Sequence, residues 1–323
     1  MKNKLVLMSL VCGCFAAIVA PTAFAQEVKI TPLGSHDGEL CPQDRALIFE
    51  DPNGTRILYD AGRSVAGATD PRLGKIDIVL VSHMHGDHAG NAHIKAPNSG
   101  SCESPDTSVS AMPNSNSANI AIAKKSKIVT GSEMPPFFAA KLGANGGNPK
   151  DSMLARFGGS VRVGGVTIAT VHALHSNGLD PDYIGGEIGK SMKAAGIAGD
   201  VGQATGYVLT FSNGLVVYLS GDTGITADQE KVVRGHYNPK LAVMNIGDNF
   251  TTGPKEAAYV INELVKPNAV IPSHVNEVGT KGGKVVPGSK TDTFIKAAKV
   301  PVHLPLSGKT MSFDNAGKCV AGC

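Results

Sequence analysis

Positions 79–90 read VLVSHMHGDHAG, a stretch that packs His83, His85, Asp87 and His88 into six residues directly behind an apolar run. Imidazole nitrogen and carboxylate oxygen are ligands that zinc accepts at about 2.0–2.2 Å. Three imidazoles crowded together without a cation have little reason to stay neutral and close, so the cluster reads as metal-binding rather than as solvated loop histidines. Alternate side chains of an extended segment point the same way, which aims His83 and His85 at one ion. Gly86 permits a turn, and the turn carries Asp87 and His88 towards a second ion. Two ions roughly 3.5–4 Å apart can share one hydroxide, the nucleophile of a hydrolysis that needs neither serine nor cysteine.

Rigid elements must hold such a cluster. Short β-branched runs at 28–30, 46–49, 56–59, 78–81, 166–171, 207–211, 215–219, 241–246 and 269–271 predict strands, and Asp51-Pro52-Asn53-Gly54 and Ser212-Asn213-Gly214 predict hairpin turns. Helical periodicity appears at 117–125, 134–142, 227–233, 254–265 and 291–298. Hairpins followed by helices, twice over, predict two packed β-sheets with helices outside. The Ser-, Asn- and Pro-rich stretch 97–116 reads as a surface loop pinned at Cys102. The Gly-rich stretch 177–206 is a candidate lid over the site, with an ordinary long loop as the alternative.

The chain has 323 residues, 42% of them hydrophobic, and a formal charge of +3, which describes a folded protein. Its charges are too balanced and too scattered for a nucleic-acid surface or a polybasic membrane patch, so the expected partner is a small-molecule substrate. Lys2 and Lys4, the uncharged run Leu5 to Ala20, and Ala23-Phe24-Ala25 form a secretory signal peptide cut after Ala25. The apolar run is too short for a membrane span; a lipid anchor on Cys14 is the lesser alternative. This leaves one catalytic domain over 26–323, in the periplasm or secreted. Four cysteines then remain, Cys41, Cys102, Cys319 and Cys323, and an oxidising compartment favours disulfides. The pairs expected are Cys319 with Cys323, close enough to close a small loop, and Cys41 with Cys102; free thiols are the alternative.

The run HMHGDH resembles the H-x-H-x-D-H signature of the metallo-β-lactamase superfamily. The resemblance implies an α/β four-layer αββα sandwich with a mono- or dinuclear metal site at one edge, its other ligands arriving from later strands. VHALHSNG then supplies His175, YLSGDTG supplies Asp222 as the bridging carboxylate, and IPSHVNE supplies His274. His172 competes with His175, but His175 lies past the strand's end and precedes Ser176 as in the family pattern, which leaves His172 to line the pocket or pack. The implied cofactor is two divalent metal ions, zinc first, with manganese or iron as alternatives. His83, His85 and His175 hold one, Asp87, His88 and His274 the other, with Asp222 between. Asp87 and Asp222 are the candidate catalytic residues, able to pass a proton to the leaving group. Asp60 in LYDAG orients the ligand loop by hydrogen bonding, Asn245, Asp248 and Tyr183 are pocket candidates, and Tyr183 is placed to assist oxyanion binding.

Longer stretches, GGSVRVGGVTIATVHALHSNG, GYVLTFSNGLVVYLSGDTG and NIGDNFTTGPKEAAYVINEL, are similar to the branch containing L-ascorbate-6-phosphate lactonase. HSNG, FTTGP and HVNEVGT depart from that branch beside the site, so its substrate is not carried over. The expectation is an exported dinuclear-zinc hydrolase of a small ester-like substrate, a lactone or phosphodiester, acting by metal-bound hydroxide. A carboxylate at Asp222 resembles lactonases and phosphodiesterases more than β-lactam hydrolases, the second choice. Export and the lack of a basic arm count against a tRNA-processing nuclease, and a persulfide oxidase would use similar ligands on one iron. A noncatalytic metal-dependent binding or sensor protein is the alternative of another class, disfavoured by the full set of seven ligands.

Overall fold

The computed structural model describes residues 27–323; the expected signal peptide, with Cys12 and Cys14, lies outside them. Strand side chains alternate between two apolar surroundings. In Arg56–Tyr59, Ile57 and Tyr59 face one core and Leu58 the other; in Ile78–Leu80, Ile78 and Leu80 face the first and Val79 the second. A sheet buried on both faces needs cover on both. Here a second sheet covers one face and helices the other.

The first sheet runs in the order Cys319–Ala321, Met311–Phe313, Val28–Pro32, Leu47–Glu50, Arg56–Tyr59, Ile78–Leu80, Lys127–Thr130, Ser152–Leu154. Its strands are antiparallel as far as Arg56–Tyr59 and parallel beyond. The second sheet runs Ala269–Ser273, Leu241–Asn245, Val216–Leu219, Thr205–Thr210, Val166–His172, Ser160–Val163, with the first three parallel. Between the sheets Phe49, Tyr59 and Leu80 meet Ile168, Tyr207 and Leu219. Helices Asn116–Lys124 and Met134–Ala144 cover the outer face of the first sheet through Ala118, Ile120, Phe138 and Leu142. On the second sheet the cover comes from Pro254–Tyr259, its wider-turned continuation Val260–Val265, and Lys290–Ala297, through Ala257, Ile261 and Phe294. The result is the four-layer αββα sandwich. Among the described residues no helix is long and apolar enough to cross a membrane.

Two expectations need adjusting, and the expected disulfides form. The helix expected at 227–233 forms as the wide-turned Gln229–Tyr237 and closes where Asn238 turns left-handed. The stretch 177–206 holds the helices Pro181–Ile184 and Gly186–Ala194 and a pairing of Gly178–Leu179 with Gly199–Asp200. It is not a lid, because Tyr183 anchors it in the core beneath the first sheet and none of its described residues lines the metal cleft. Disulfides join Cys41 to Cys102, which ties down the loop 97–116, and Cys319 to Cys323.

Candidate metal centre

One edge of the sandwich collects the loops that follow five strands. His83 to His88 follow Ile78–Leu80, His175 follows Val166–His172, Asp222 follows Val216–Leu219, His274 follows Ala269–Ser273, and Asp60 follows Arg56–Tyr59. Left-handed backbone at a residue other than glycine is uncommon and gathers at functional sites. Of ten such residues described, five lie here: Asp60, Asp248, Asn249, His274 and Asn276. Gly247 is needed for close approach, since a Cβ there would meet Nδ1 of His274 at 2.7 Å.

The structure brings all seven expected ligands together. Three overlapping triads, His83/His85/His175, His83/His88/Asp222 and Asp87/His88/His274, each place their ligating atoms within 4.8 Å of one another. Asp222 sits between the histidine groups, its Oδ2 lying 3.8 Å from Nε2 of His175, 3.9 Å from Nε2 of His83 and 2.9 Å from Nε2 of His274. Its Oδ1 is 3.3 Å from Nε2 of His88. Nε2 of His83, Nε2 of His88 and Oδ1 of Asp222 are buried without a hydrogen-bond partner. Buried polar atoms are seldom left so unless something else fills the place. Imidazole and carboxylate atoms orphaned at a common centre fit a divalent cation in ligand type and in direction.

The outward nitrogens of His88 and His83 are occupied, whereas Nδ1 of His274 is buried without a partner. Nδ1 of His88 lies 2.8 Å from Oδ2 of Asp60, and the Asp60 carboxylate also accepts from the amide and hydroxyl of Ser82, both at 2.8 Å. Ser82 Oγ contacts Nδ1 of His83 at 2.9 Å. Each such bond fixes the ring and leaves Nε2 facing the centre, the arrangement metal-bound histidines use. Asp87 is gripped by Arg45, whose Nε and Nη2 donate to Oδ2 at 3.2 and 3.1 Å. The remaining Arg45 donors go to Asn276, Pro42 and Asp44, and its side chain is 2% exposed, so its geometry is locked.

Burial divides the titrating groups. It holds His83 well below the usual imidazole range, and the neighbouring His88 adds to the effect; burial also lowers His85 and His175. For His88 burial is outweighed by Asp222, Asp87 and Asp60, which raise it well above that range. Burial pushes Asp87 and Asp222 up, but the histidines around them, with Arg45 for Asp87, hold both well below the ordinary carboxylate range. Both are therefore carboxylates at neutral pH, as a metal requires.

A cleft of about 730 Å³ opens above the cluster, lined among others by Arg45, Arg63, Asp248, Phe250 and Lys290. Asp248 thus lies where the sequence suggested. Three other expected pocket residues do not. His172 ends its strand exposed to solvent and stacks on Phe157 at 4.3 Å, away from the cleft lining. Asn245 lies behind the cleft, donating to the Thr223 carbonyl and the Thr252 hydroxyl and accepting from Ser220, so it braces the turn that carries Asp222. Tyr183 is fully buried in the core below and does not line the cleft, which removes it from oxyanion binding. Sequence reading missed Ser82, Arg45, Asn276 and Lys290. Ser82 could have been found as the neighbour of His83; no local pattern marks the others.

Residues 43–274 match the family described as a beta-lactamase superfamily domain, a span that runs through all seven ligand positions. The chain belongs to the metallo-β-lactamase superfamily and is a metal-dependent hydrolase. A UPF0173 metal-dependent hydrolase of Koribacter versatilis is 30% identical over 267 residues, 81% of this chain and 91% of that protein. A second, from Methanopyrus kandleri, is 32% identical over 225 residues, 69% of this chain and 77% of its own. Igni18, a metallo hydrolase from Ignicoccus hospitalis, shares the fold with a TM-score of 0.57 at 21% identity, covering 89% of this chain and 99% of that one. These relatives carry no lactonase name, so the finer likeness rests on the motifs alone.

Proposed function

We propose that this hydrolase cleaves an ester-like bond, in a lactone or a phosphodiester, of a small molecule, with two divalent cations, zinc first, as its cofactor. The observation that carries the reading is the pair of triads flanking Asp222, with their orphaned atoms turned inward. His83, His85 and His175 would hold one ion and Asp87, His88 and His274 the other, with Asp222 shared. When bound, such a pair supplies Lewis-acid polarisation and lowers the pKa of a water towards about 7. The chain does the rest. Asp60 and Ser82 hold the outward nitrogens of His88 and His83, and Arg45 fixes Asp87. Asp87 and Asp222, both at the cleft wall, are the carboxylates placed to pass a proton to the leaving oxygen. An extracytoplasmic setting is supported by the leader's residue pattern and by four cysteines closed into two disulfides.

The test is turnover of lactone, phosphodiester, thioester and β-lactam panels by metal-loaded protein. EDTA should abolish activity, and Asp222→Ala should cut it by more than roughly a hundredfold. Undiminished turnover in Asp222→Ala removes the shared-carboxylate role; turnover confined to β-lactams moves the substrate to that class.

A further inference from the structure

Among the described residues nine large hydrophobic side chains are exposed, and three of them crowd onto one shelf: Leu174 at 64%, Ile225 at 42% and Phe250 at 72%. They line a shallow cavity of about 680 Å³ that shares Asp248, Asn249 and Phe250 with the metal cleft. Singly exposed hydrophobics need no explanation, whereas a contiguous group beside a polar centre marks a binding surface.

The shelf is held in place by the loops that carry the ligands. Leu174 directly precedes His175; its amide donates to Thr223 Oγ1 at 2.9 Å, and its carbonyl accepts from Gly224 at 3.2 Å, which binds the His175 loop to the Asp222 loop. Ile225 is the next residue after Gly224. Phe250 stands on a turn closed by its own amide to the Asp248 carbonyl at 2.7 Å, and that turn is tied to the same place by the Thr252 amide on the Thr223 carbonyl at 3.0 Å. Whatever covers these side chains therefore lies a fixed, short distance from the reacting centre. The rim sets Asp248 and Glu256 against Lys255 and so offers no basic patch to an anionic membrane surface.

We infer that the shelf takes an alkyl or aryl arm of the substrate, laid so that its ester-like bond falls over the metal centre. The inference rests on the hydrolytic reading above and narrows its substrate to molecules with an apolar arm.

The test uses metal-loaded protein and two probe series. γ-Lactones with side chains from methyl to hexyl report turnover, and straight-chain carboxylates from butyrate to octanoate report binding by calorimetry. One-sided cover gives about half the gain of full burial, so kcat/KM should rise about twofold per methylene and carboxylate affinity in step. Phe250→Ser and Leu174→Ser, both at exposed positions, should flatten the slope. A flat series in the parent protein, or an unchanged slope in both variants, overturns the shelf. Chain-length-dependent carboxylate binding without turnover of any panel substrate keeps the shelf and fails the hydrolytic reading. A flat series with binding to phosphatidylcholine vesicles that Phe250→Ser abolishes assigns the surface to a membrane instead, and overturns the inference.

Discussion

Asp60→Asn isolates the contribution of one hydrogen bond to metal binding. The carboxylate is 1% exposed, and its Oδ1 accepts the Ser82 amide while Oδ2 accepts the Ser82 hydroxyl and faces Nδ1 of His88. Asparagine keeps the shape and tolerates the left-handed backbone, φ +43°, nearly as well as aspartate, so the loop should not move. The amide has only one acceptor end. Turned with its oxygen to the Ser82 amide, it presents N–H₂ to Nδ1 of His88 and drives that ring to the tautomer with its proton on Nε2, where a metal cannot bind. Turned the other way, it sets two buried donors against each other at Ser82, a cost of about 1–3 kcal/mol. Either route should weaken the second equivalent of zinc by about 10–100-fold. Competition between EDTA-stripped protein and a chromophoric chelator measures both equivalents. The first, on His83, His85 and His175, should shift less, because Asp60 reaches His83 only through Ser82. Wild-type affinity for both equivalents, or weakening of the first alone, would refute the placement of His88 by Asp60.

Arg45→Met removes a buried cation from five bonds while keeping volume. The metal-free protein should lose about 3 kcal/mol in urea unfolding, at the lower end for a broken buried pair because Asp87 is 24% exposed; a loss below about 1 kcal/mol would show that the fork does not hold Asp87. Metal loading at pH 7 should release at least one proton, since the surrounding carboxylates raise His88 above its ordinary range and keep it charged until a cation displaces its proton, and metal-bound water adds to the count. By linkage, the raised His88 stabilises the metal-free fold fully below about pH 6.5, and that contribution is lost as pH rises through its folded value. Calorimetry in buffers of different ionisation enthalpy reads the proton count, and no release at pH 7 would place the charge elsewhere. Gly247→Ala puts a methyl group against His274 and should weaken the second metal equivalent about tenfold with the fold intact by circular dichroism.

The metal ligands were legible because two signals are local. H-x-H-x-D-H crowds four of them into one turn, and His175, Asp222 and His274 each follow an apolar strand run by a few residues. The fold was legible for a related reason, since strands buried on both faces read as short apolar runs and the helices as amphipathic segments between them. Arg45 was not, because its partners Asp87 and Asn276 lie 42 and 231 residues away. His172 misled because it is the exposed last residue of its strand, stacked on Phe157, and so stops short of the loop that carries His175 into the centre. Tyr183 misled because the Gly-rich stretch looked loose, although Asp180 and Pro181 are a helix cap and first-turn proline that set the tyrosine into the core.

Which residue types meet a cation, and that they stand at strand ends, was determined by the sequence alone, because ligand chemistry and strand period are properties of short segments. Only the tertiary structure decided which nitrogen of each histidine faces inward, which arginine holds Asp87, and that an apolar shelf adjoins the centre. Those outcomes depend on loops from distant strands being pressed against one another at one edge, and the backbone bonds that press them join residues the chain keeps far apart.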